Sequence, residues 1–292
     1  MIYDIRQTTI CTYASPVANA RHILRLTPIG RPRQQVRVAS LQIIPEPSES
    51  REGRDFFGNH VTWIAFEQPH NRLTVKVAAR VGIDEMIIPN AAATPAFETE
   101  RERVAATDNI GPMSPAQFLF PSRMVSLDPE IRDYTRGSFP TGRSVLDGAI
   151  DLMRRINADM VYDTHATTVT TTAPMSFALR RGVCQDFAHI MISGLRGIGL
   201  PAAYVSGYLR TAPRQGSVGL VGADAMHAWV LAWCGSETGW VGLDPTNAVF
   251  ASDDHVTLAV GRDYSDVAPI DGVILASGGQ RIDVAVNVIP VI

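Results

Sequence analysis

The sequence predicts an α+β protein, in which an N-terminal antiparallel β domain precedes a core whose helices come before its strands. In the first ninety residues, short segments of alternating apolar and polar residues are separated by Pro, Gly and Asn, which is typical of strands. After residue 140, apolar residues recur at helical spacing and then return to strand-like alternation. The chain has 292 residues, which is long enough for two joined domains.

The composition narrows the class of protein. Hydrophobic residues make up 46% and charged residues 19% of the chain, which excludes a mainly disordered or collagen-like polypeptide. The formal net charge of −3 gives no general attraction to nucleic acid or to an anionic membrane, so neither is predicted as a partner. The N-terminal residues show no secretory signal pattern, and a cytoplasmic location is expected. Oligomeric state is not predicted.

The N-terminal β domain is predicted to span 1–90. Its strands are expected at 3–13, 20–28, 35–45, 60–66 and 73–83. Residues 91–121 are rich in Ala, Thr and Pro and include a charge-mixed run at 98–103, so they are interpreted as a connector. The core is then predicted to span 122–292.

Within the core, two helices are predicted from apolar residues at helical spacing. They cover 144–159 and 184–196, and Gly and Pro punctuate the end of the second. The strands predicted after them lie at 202–209, 227–233, 239–243, 256–260 and 281–288.

Cys184 is the candidate nucleophile. It follows the glycine break at Gly182 and begins the second predicted helix. A thiol in the first turn of a helix meets free backbone N–H groups and the positive end of the helix dipole, which favour the thiolate. The other cysteines, Cys11 and Cys234, lie far from it with no C-x-x-C spacing, which argues against a disulfide framework or a zinc ribbon.

His227 is the candidate base and Asp244 the candidate orienting acid. Alternation places His227 on one face of a predicted strand, and Asp244 ends the next strand, where Pro245 stops the ladder. An antiparallel pair of these strands would bring the carboxylate beside the imidazole, whose other nitrogen could then meet the thiol. Each residue alone also has a structural interpretation: a buried thiol, a structural histidine and an ordinary strand-ending turn.

Three segments together carry a family resemblance. GVCQDFAH at 182–189, DAMHAW at 224–229 and WVGLDPTN at 240–247 resemble the transglutaminase-like superfamily of papain-related cysteine enzymes, in the chain order Cys, His, Asp. The N-terminal strands, with Phe57-Gly58-Asn59, resemble the β domain that precedes the core in bacterial transglutaminase-like proteins, a group that includes predicted cysteine proteases. The resemblance implies a papain-like core, in which the helix that carries the cysteine packs on an antiparallel sheet.

The resemblance also implies an activity. The family's nucleophile, base and orienting acid map to Cys184, His227 and Asp244, which implies cleavage or transfer of acyl groups from peptides or carboxamides through a thioester. A cysteine peptidase or amidohydrolase is expected, acting on a peptide or protein without a cofactor or metal. Two alternatives stay open: a protein-glutamine γ-glutamyltransferase that crosslinks proteins, and a noncatalytic peptide-binding module on the same fold.

The residues around the triad are less determined. The backbone N–H of Cys184 is one expected oxyanion donor, and the candidates for the second are Tyr162, Trp229 and Tyr208. Further candidate substrate contacts either line the pocket or belong to the core and its loops. They are Tyr208, Trp229, Arg262, Asp263 and Tyr264.

Overall fold

Residues 1–83 form strands in the computed structural model, which describes residues 1–210 and 225–291. Alternating burial along these strands shows that one face of each points into a core. The strands are β1 (Ile2–Val17), β2 (Asn19–Leu24), β3 (Gln34–Ile44), β4 (Glu49–Arg54), β5 (His60–Phe66) and β6 (His70–Ile83). The N-terminal strands predicted from alternation are therefore confirmed, whereas the charged β4 was not predicted.

Two four-stranded antiparallel sheets build the N-terminal domain. Each includes one strand from the C-terminal end of the chain: β14 (Ile270–Leu275) and β15 (Gln280–Pro290). The sheet orders are β15-β1-β6-β3 and β14-β2-β5-β4. Side chains from both sheets, such as Cys11, Phe66 and Val75, share one apolar core.

The position of the last two strands corrects the predicted extent of the core. Residues 122–292 were assigned to it, but β15 pairs with β1 from Tyr3 to Tyr13 and β14 pairs with β2. The chain thus returns to the N-terminal sheets after leaving the core. Local alternation reveals a strand but not its distant partner, so this pairing was not visible in the sequence.

The segment predicted as a connector is partly helical. It holds α1 (Phe97–Ala105) and short 3₁₀ turns at 91–93 and 115–118. The helices that follow are α2 (Pro129–Arg136), α3 (Val145–Asp159), α4 (Ala173–Leu179) and α5 (Cys184–Gly197). A two-residue parallel pair, β7 (Val161–Tyr162) with β8 (Arg181–Gly182), lies just before α5. The predicted α3 and α5 are confirmed.

A five-stranded antiparallel sheet completes the core. Its strands are β9 (Ala202–Leu209), β10 (Ala225–Trp233), β11 (Trp240–Asp244), β12 (Val249–Phe250) and β13 (His255–Gly261), in the order β12-β11-β10-β9-β13. Apolar side chains of α5, including Phe187 and Met191, pack against Val230 and Ala232 of β10. The α+β class and the transglutaminase-like arrangement of helix on antiparallel sheet are confirmed. The short α6 (Tyr264–Val267) follows β13.

The N-terminal sheets are fastened directly to the core sheet. Asn59 completes the backbone hydrogen bonds of Val260 on β13, receiving its N–H and donating to its carbonyl, both at 2.8 Å. Tyr3 and Val81 pack against Tyr208 and Val256 across the same junction. Within the described residues, no helix is long and apolar enough to cross a membrane.

Candidate active site

Cys184 occupies the first position of α5, as predicted. The helix begins there because the Asp186 carboxylate accepts the free backbone N–H of Val183 at 2.8 Å and so caps the first turn. A Cβ atom on Gly182 would lie 2.5 Å from that carboxylate, so only glycine fits before the turn. The thiol is half-buried, whereas Cys11 and Cys234 are buried.

His227 and Asp244 meet as the strand pairing predicts. Strands β10 and β11 are antiparallel neighbours, and Nε2 of His227 lies 2.8 Å from Oδ2 of Asp244. The Cys184 thiol lies near enough to the His227 imidazole to help raise the pKa of that ring. Since Nε2 is engaged by the carboxylate, Nδ1 is the ring nitrogen left for the thiol.

The Asp244 carboxylate is fully buried and surrounded by donors. Its Oδ1 accepts the backbone N–H of Thr246 at 2.9 Å and of Asn247 at 3.3 Å. Its Oδ2 accepts the Asn247 side-chain amide at 2.6 Å, beside His227. The Asp-Pro-Thr-Asn turn after β11 therefore holds the carboxylate in place with its own backbone.

A second histidine, His255, also contacts Asp244. Its Nε2 lies 3.3 Å from the same Oδ2 atom, and its ring stands edge-on to Trp229 at 5.1 Å. Sequence reasoning missed this residue, because His255 begins β13, which lies on the far side of β9 from β10. A histidine after two aspartates has no local pattern that identifies it as a partner of Asp244.

Burial and hydrogen bonding act in opposite directions on this cluster. Burial is the largest influence on His227 and lowers its pKa, but the hydrogen bonds with Asp244 and Cys184 outweigh it and raise the pKa to about 10. Burial likewise raises the pKa of Asp244, and the hydrogen bonds from His227, His255 and Asn247 hold it well below its usual range. The arrangement thus favours an imidazolium beside a carboxylate.

His227, Asp244 and His255 also have the spacing of a small metal site. Their potential ligand atoms lie within 4.8 Å of one another. Among the described residues, this is the cluster of His, Cys, Asp or Glu side chains that is close enough to hold a metal ion. Each of the three atoms is already engaged in a hydrogen bond, and a metal ion would have to displace the strongly held proton of His227. Proton transfer fits this donor set better than metal ligation.

Tyr162 stands beside the thiol. Strand pairing places it opposite Gly182, two residues before Cys184, and 55% of its surface is exposed. Burial and then the charge of Cys184 raise the pKa of its hydroxyl, which shows that the two groups are close. The exposed ring is thus available to a substrate at Cys184.

The loop at 163–172 is fastened to the first turn of α5. Thr167 donates its hydroxyl to Asp186 at 2.6 Å, and the Gln185 side chain donates to the Val169 carbonyl at 3.1 Å. Gln185 follows Cys184 directly, so this loop borders the thiol on the side of the helix N-terminus. Val169 itself is exposed.

Burial contradicts the prediction of substrate contacts at two of the candidates. Tyr208 is fully buried, and its hydroxyl donates to Gln7 in the N-terminal domain. Asp263 is fully buried and accepts backbone N–H groups of Met124 at 2.7 Å and Ser265 at 2.8 Å. Both side chains serve the packing of the fold, and neither presents surface to a ligand.

The neighbours of Asp263 tie the same loop to the core. The backbone N–H and the guanidinium of Arg262 make three hydrogen bonds with Asp266, and the Arg262 carbonyl accepts from Arg196 of α5. The backbone N–H of Tyr264 donates to Nε2 of buried His189 at 3.2 Å. Of the two alternatives for this loop, these bonds favour attachment to the core.

Trp229 is a buried neighbour of His227 and His255. Only 2% of its surface is exposed, and it packs beside both His227 and His255. A Cβ atom on Gly207 would lie 2.4 Å from the indole, so the glycine in β9 provides the space that it fills. The core interpretation of Trp229 fits this burial, whereas a direct substrate contact does not.

A helix that carries a thiol at its start and packs on an antiparallel sheet, with an imidazole and a buried carboxylate beside it, defines a transglutaminase-like core. Family models agree: residues 3–82 match the bacterial transglutaminase-like N-terminal region, and residues 133–245 match the transglutaminase-like superfamily. The chain belongs to the transglutaminase-like superfamily.

The similarity to known proteins covers nearly the whole chain. An uncharacterized protein of Mycobacterium tuberculosis is 32% identical over 297 residues, covering 99% of this chain and 92% of the relative. An uncharacterized protein of Mycobacterium leprae is 30% identical over 276 residues, covering 94% of each. The crystal structure of a putative cysteine protease from Cytophaga hutchinsonii has a TM-score of 0.76 at 22% identity, covering 100% of this chain and 91% of that one. This last likeness concerns the fold.

Proposed function

We propose that this protein is a thiol enzyme that hydrolyses peptide or carboxamide bonds through a thioester at Cys184. The observation that carries the proposal is the placement of a half-buried thiol at the start of α5, near an imidazole whose Nε2 lies 2.8 Å from a buried carboxylate. This is the donor and acceptor order that nucleophilic acyl transfer requires. Membership of a superfamily with cysteine enzymes supports it.

The proposed chemistry follows from the proton that the His227 imidazole holds because its pKa is raised. The Cys184 sulfur attacks the substrate carbonyl, and the resulting tetrahedral intermediate collapses as the C–N bond breaks and the imidazolium of His227 gives its proton to the leaving amine. A water molecule then attacks the thioester while the neutral imidazole takes its proton. The C–S bond breaks, the acid leaves, and the thiolate–imidazolium pair is restored. Asp244 orients His227 throughout.

Location and partners are part of the proposal. A peptide or protein substrate in the cytoplasm, with no nucleic-acid or membrane partner, stays a prediction from the sequence. The division of the chain into a domain, a connector and a core at residues 90 and 121 also stays a prediction. The exception is the pair of C-terminal strands, which pair with the N-terminal sheets.

Cysteine labelling tests the nucleophile. At pH 6 we expect iodoacetamide to modify Cys184 at least ~100-fold faster than Cys11 or Cys234, read by peptide mass spectrometry in the native protein. Burial raises the pKa of Cys11 and raises that of Cys234 to about 12, so these two thiols are internal controls. In His227→Ala the advantage of Cys184 at pH 6 should fall by ~10-fold or more. Equal labelling of all three cysteines in the wild-type protein would favour the peptide-binding module instead.

The exposed ring of Tyr162 should contribute to substrate binding. We expect Tyr162→Ala to raise KM by ~10-fold with kcat within ~2-fold of wild type, because an aromatic contact is lost equally in the ground and transition states. The matched Tyr162→Phe variant keeps the ring and should behave as wild type. A fall in kcat of ~100-fold in Tyr162→Phe would instead identify the hydroxyl as an oxyanion donor.

A further inference from the structure

His255 is a buried polar neighbour of the proposed triad to which the proposed reaction assigns no role. It lies at the start of β13, has a side chain that is 4% exposed, and shares the Oδ2 atom of Asp244 with His227. We infer that His255 is a positioning residue: its Nε2–H donates to Asp244 and so holds the carboxylate in the orientation that aligns His227 with Cys184. This inference rests on the proposed function and adds a second histidine to its site.

The tautomer of His255 is set by its other ring nitrogen. The backbone N–H of Ser252 lies 3.2 Å from Nδ1 and donates to it, so Nδ1 must be the unprotonated nitrogen. The ring proton of neutral His255 is then on Nε2, which is the atom that faces Asp244. Both nitrogens of the ring therefore have a defined role, and the direction of the hydrogen bond to Asp244 follows.

The ring of His255 is also fixed by packing. The Trp229 indole stands edge-on to it at 5.1 Å and lies nearly parallel to the His227 ring at 6.3 Å. Gly207 gives the indole its space, since a Cβ atom there would meet it at 2.4 Å. One indole thus packs beside both imidazoles around Asp244.

The donor on Oδ2 affects the proton on His227. The hydrogen bond from His255 disperses part of the negative charge of Asp244, and without it more of that charge acts on His227. We expect loss of this donor to raise the pKa of His227 further and to make it a weaker acid toward the leaving amine. The carboxylate would also gain freedom to rotate about its remaining contacts.

Other charged groups surround this cluster. Cys184 faces His227 from α5, and Asp244 faces it from β11. Beside His255 on β13, Asp254 is paired with Arg210, and Asp253 lies 3.4 Å from Arg33. Neither pair includes the His255 side chain, so we expect a shift in the titration of His227 after substitution of His255 to report on the lost donor.

Two substitutions separate the hydrogen bond from the packing. His255→Gln keeps an N–H donor that can reach Asp244, and His255→Phe keeps a ring of similar size without a donor. For each variant, the rate of iodoacetamide labelling of Cys184 is measured from pH 5 to 11, together with kcat and KM on a peptide pool. The folded state is checked by thermal unfolding.

In His255→Phe, we expect the alkaline pH at which the labelling rate of Cys184 changes to be higher than in wild type. We also expect kcat to fall by ~10-fold with KM unchanged, since one aligned hydrogen bond is lost. His255→Gln should restore both to within ~3-fold of wild type. Wild-type behaviour of folded His255→Phe would overturn the inference. So would an equal loss in both variants with no shift of the alkaline change, because packing alone would then explain the effect.

A measurement on the wild-type protein does not depend on the variants folding. In a nitrogen-15 spectrum of labelled histidines, neutral His255 should show an unprotonated Nδ1 and a protonated Nε2, and the reverse tautomer would overturn the inference. Failure of the proposed function is distinguishable from this result. In that case Cys184 of the wild-type protein would label no faster than Cys11, whatever the tautomer of His255.

Discussion

If the proposed function holds, we expect Cys184→Ala to lose peptide or carboxamide hydrolysis almost completely, with a fall in kcat of ~10⁴-fold or more. The substitution removes the sulfur that forms the thioester, while the hydrogen bonds of His227, Asp244 and Asn247 to one another stay intact. The half-buried position at the start of α5 tolerates alanine, which has a high helix propensity. The variant should therefore be folded and inactive.

The assay uses a mixed peptide pool, whose products are identified by mass spectrometry with and without an added primary amine. Free acids as products indicate hydrolysis, and amine-modified glutamine residues indicate transfer. The matched control is Cys234→Ala, which removes a buried thiol in the apolar core directly after β10 and should leave kcat within ~3-fold. Equal activity of Cys184→Ala and wild type would exclude Cys184 as the nucleophile.

An acyl-enzyme gives an independent readout of the same prediction. Rapid acid quenching of the wild-type protein with substrate should reveal an acyl mass on the peptide that contains Cys184. Cys184→Ser keeps a hydroxyl at that position, but serine is a weaker nucleophile without a matched base, so we expect little activity and no thioester. Acylation at Cys11 or Cys234 would contradict the assignment.

Each of the three residues proposed as the triad has a local signal in the sequence. Cys184 follows a glycine break at a helix start, His227 lies in an alternating strand, and Asp244 ends the next strand before a proline. Neighbouring antiparallel strands in sequence are usually neighbours in space, so the meeting of His227 and Asp244 needed no distant contact. The same reasoning gave the helix of Cys184 and most strands of the N-terminal sheets.

The parts that sequence reasoning missed depend on distant pairing. β15 returns from the end of the chain to pair with β1, and His255 reaches Asp244 only because β13 lies beside β9. The charged helix α1 resembles a solvated connector, because only Glu100 and Val104 among its residues are buried. Buried Glu100 accepts the indole N–H of Trp233 at 2.7 Å, a contact with no local signal.

The loop at 262–264 shows a different limit. Arg262, Asp263 and Tyr264 have the side chains of a binding loop, and the sequence allowed either substrate binding or attachment to the core. Asp263 instead accepts the backbone N–H of Met124, and Tyr264 donates its backbone N–H to His189. Polar residues in a glycine-led loop reveal that partners exist, but only the folded chain shows whether those partners are internal.

Asp244→Asn should have the second largest effect, on both activity and stability. An asparagine cannot offer Oδ2 as a carboxylate to the donors from His227, His255 and Asn247, and one amide orientation would turn an N–H toward them. We expect kcat to fall ~10³-fold, because His227 loses the group that orients it and stabilises its charge. Removing one partner of a buried ion pair should also lower the free energy of unfolding by ~3–5 kcal/mol near pH 6.

The pH dependence of that loss follows from the signs of the two shifts. The pKa of Asp244 is lowered in the fold, so its contribution to stability is present above its unfolded value of about 3.9 and is lost as pH falls further. The pKa of His227 is raised to about 10, so its contribution is complete below about 6.5 and is lost as pH rises toward 10. The difference in stability between wild type and Asp244→Asn should therefore be largest between about pH 4 and 6.5.

Denaturant unfolding at pH 3, 5.5, 7 and 10 checks this profile. The matched control is Asp283→Asn, which breaks an exposed ion pair with Arg281 on β15 and should change the unfolding free energy by less than ~0.5 kcal/mol at each pH. A gap between Asp244→Asn and wild type that stayed constant from pH 5.5 to 10 would mean that His227 carries no stabilising charge in the fold. The imidazolium on which the proposed chemistry depends would then be absent from the resting site.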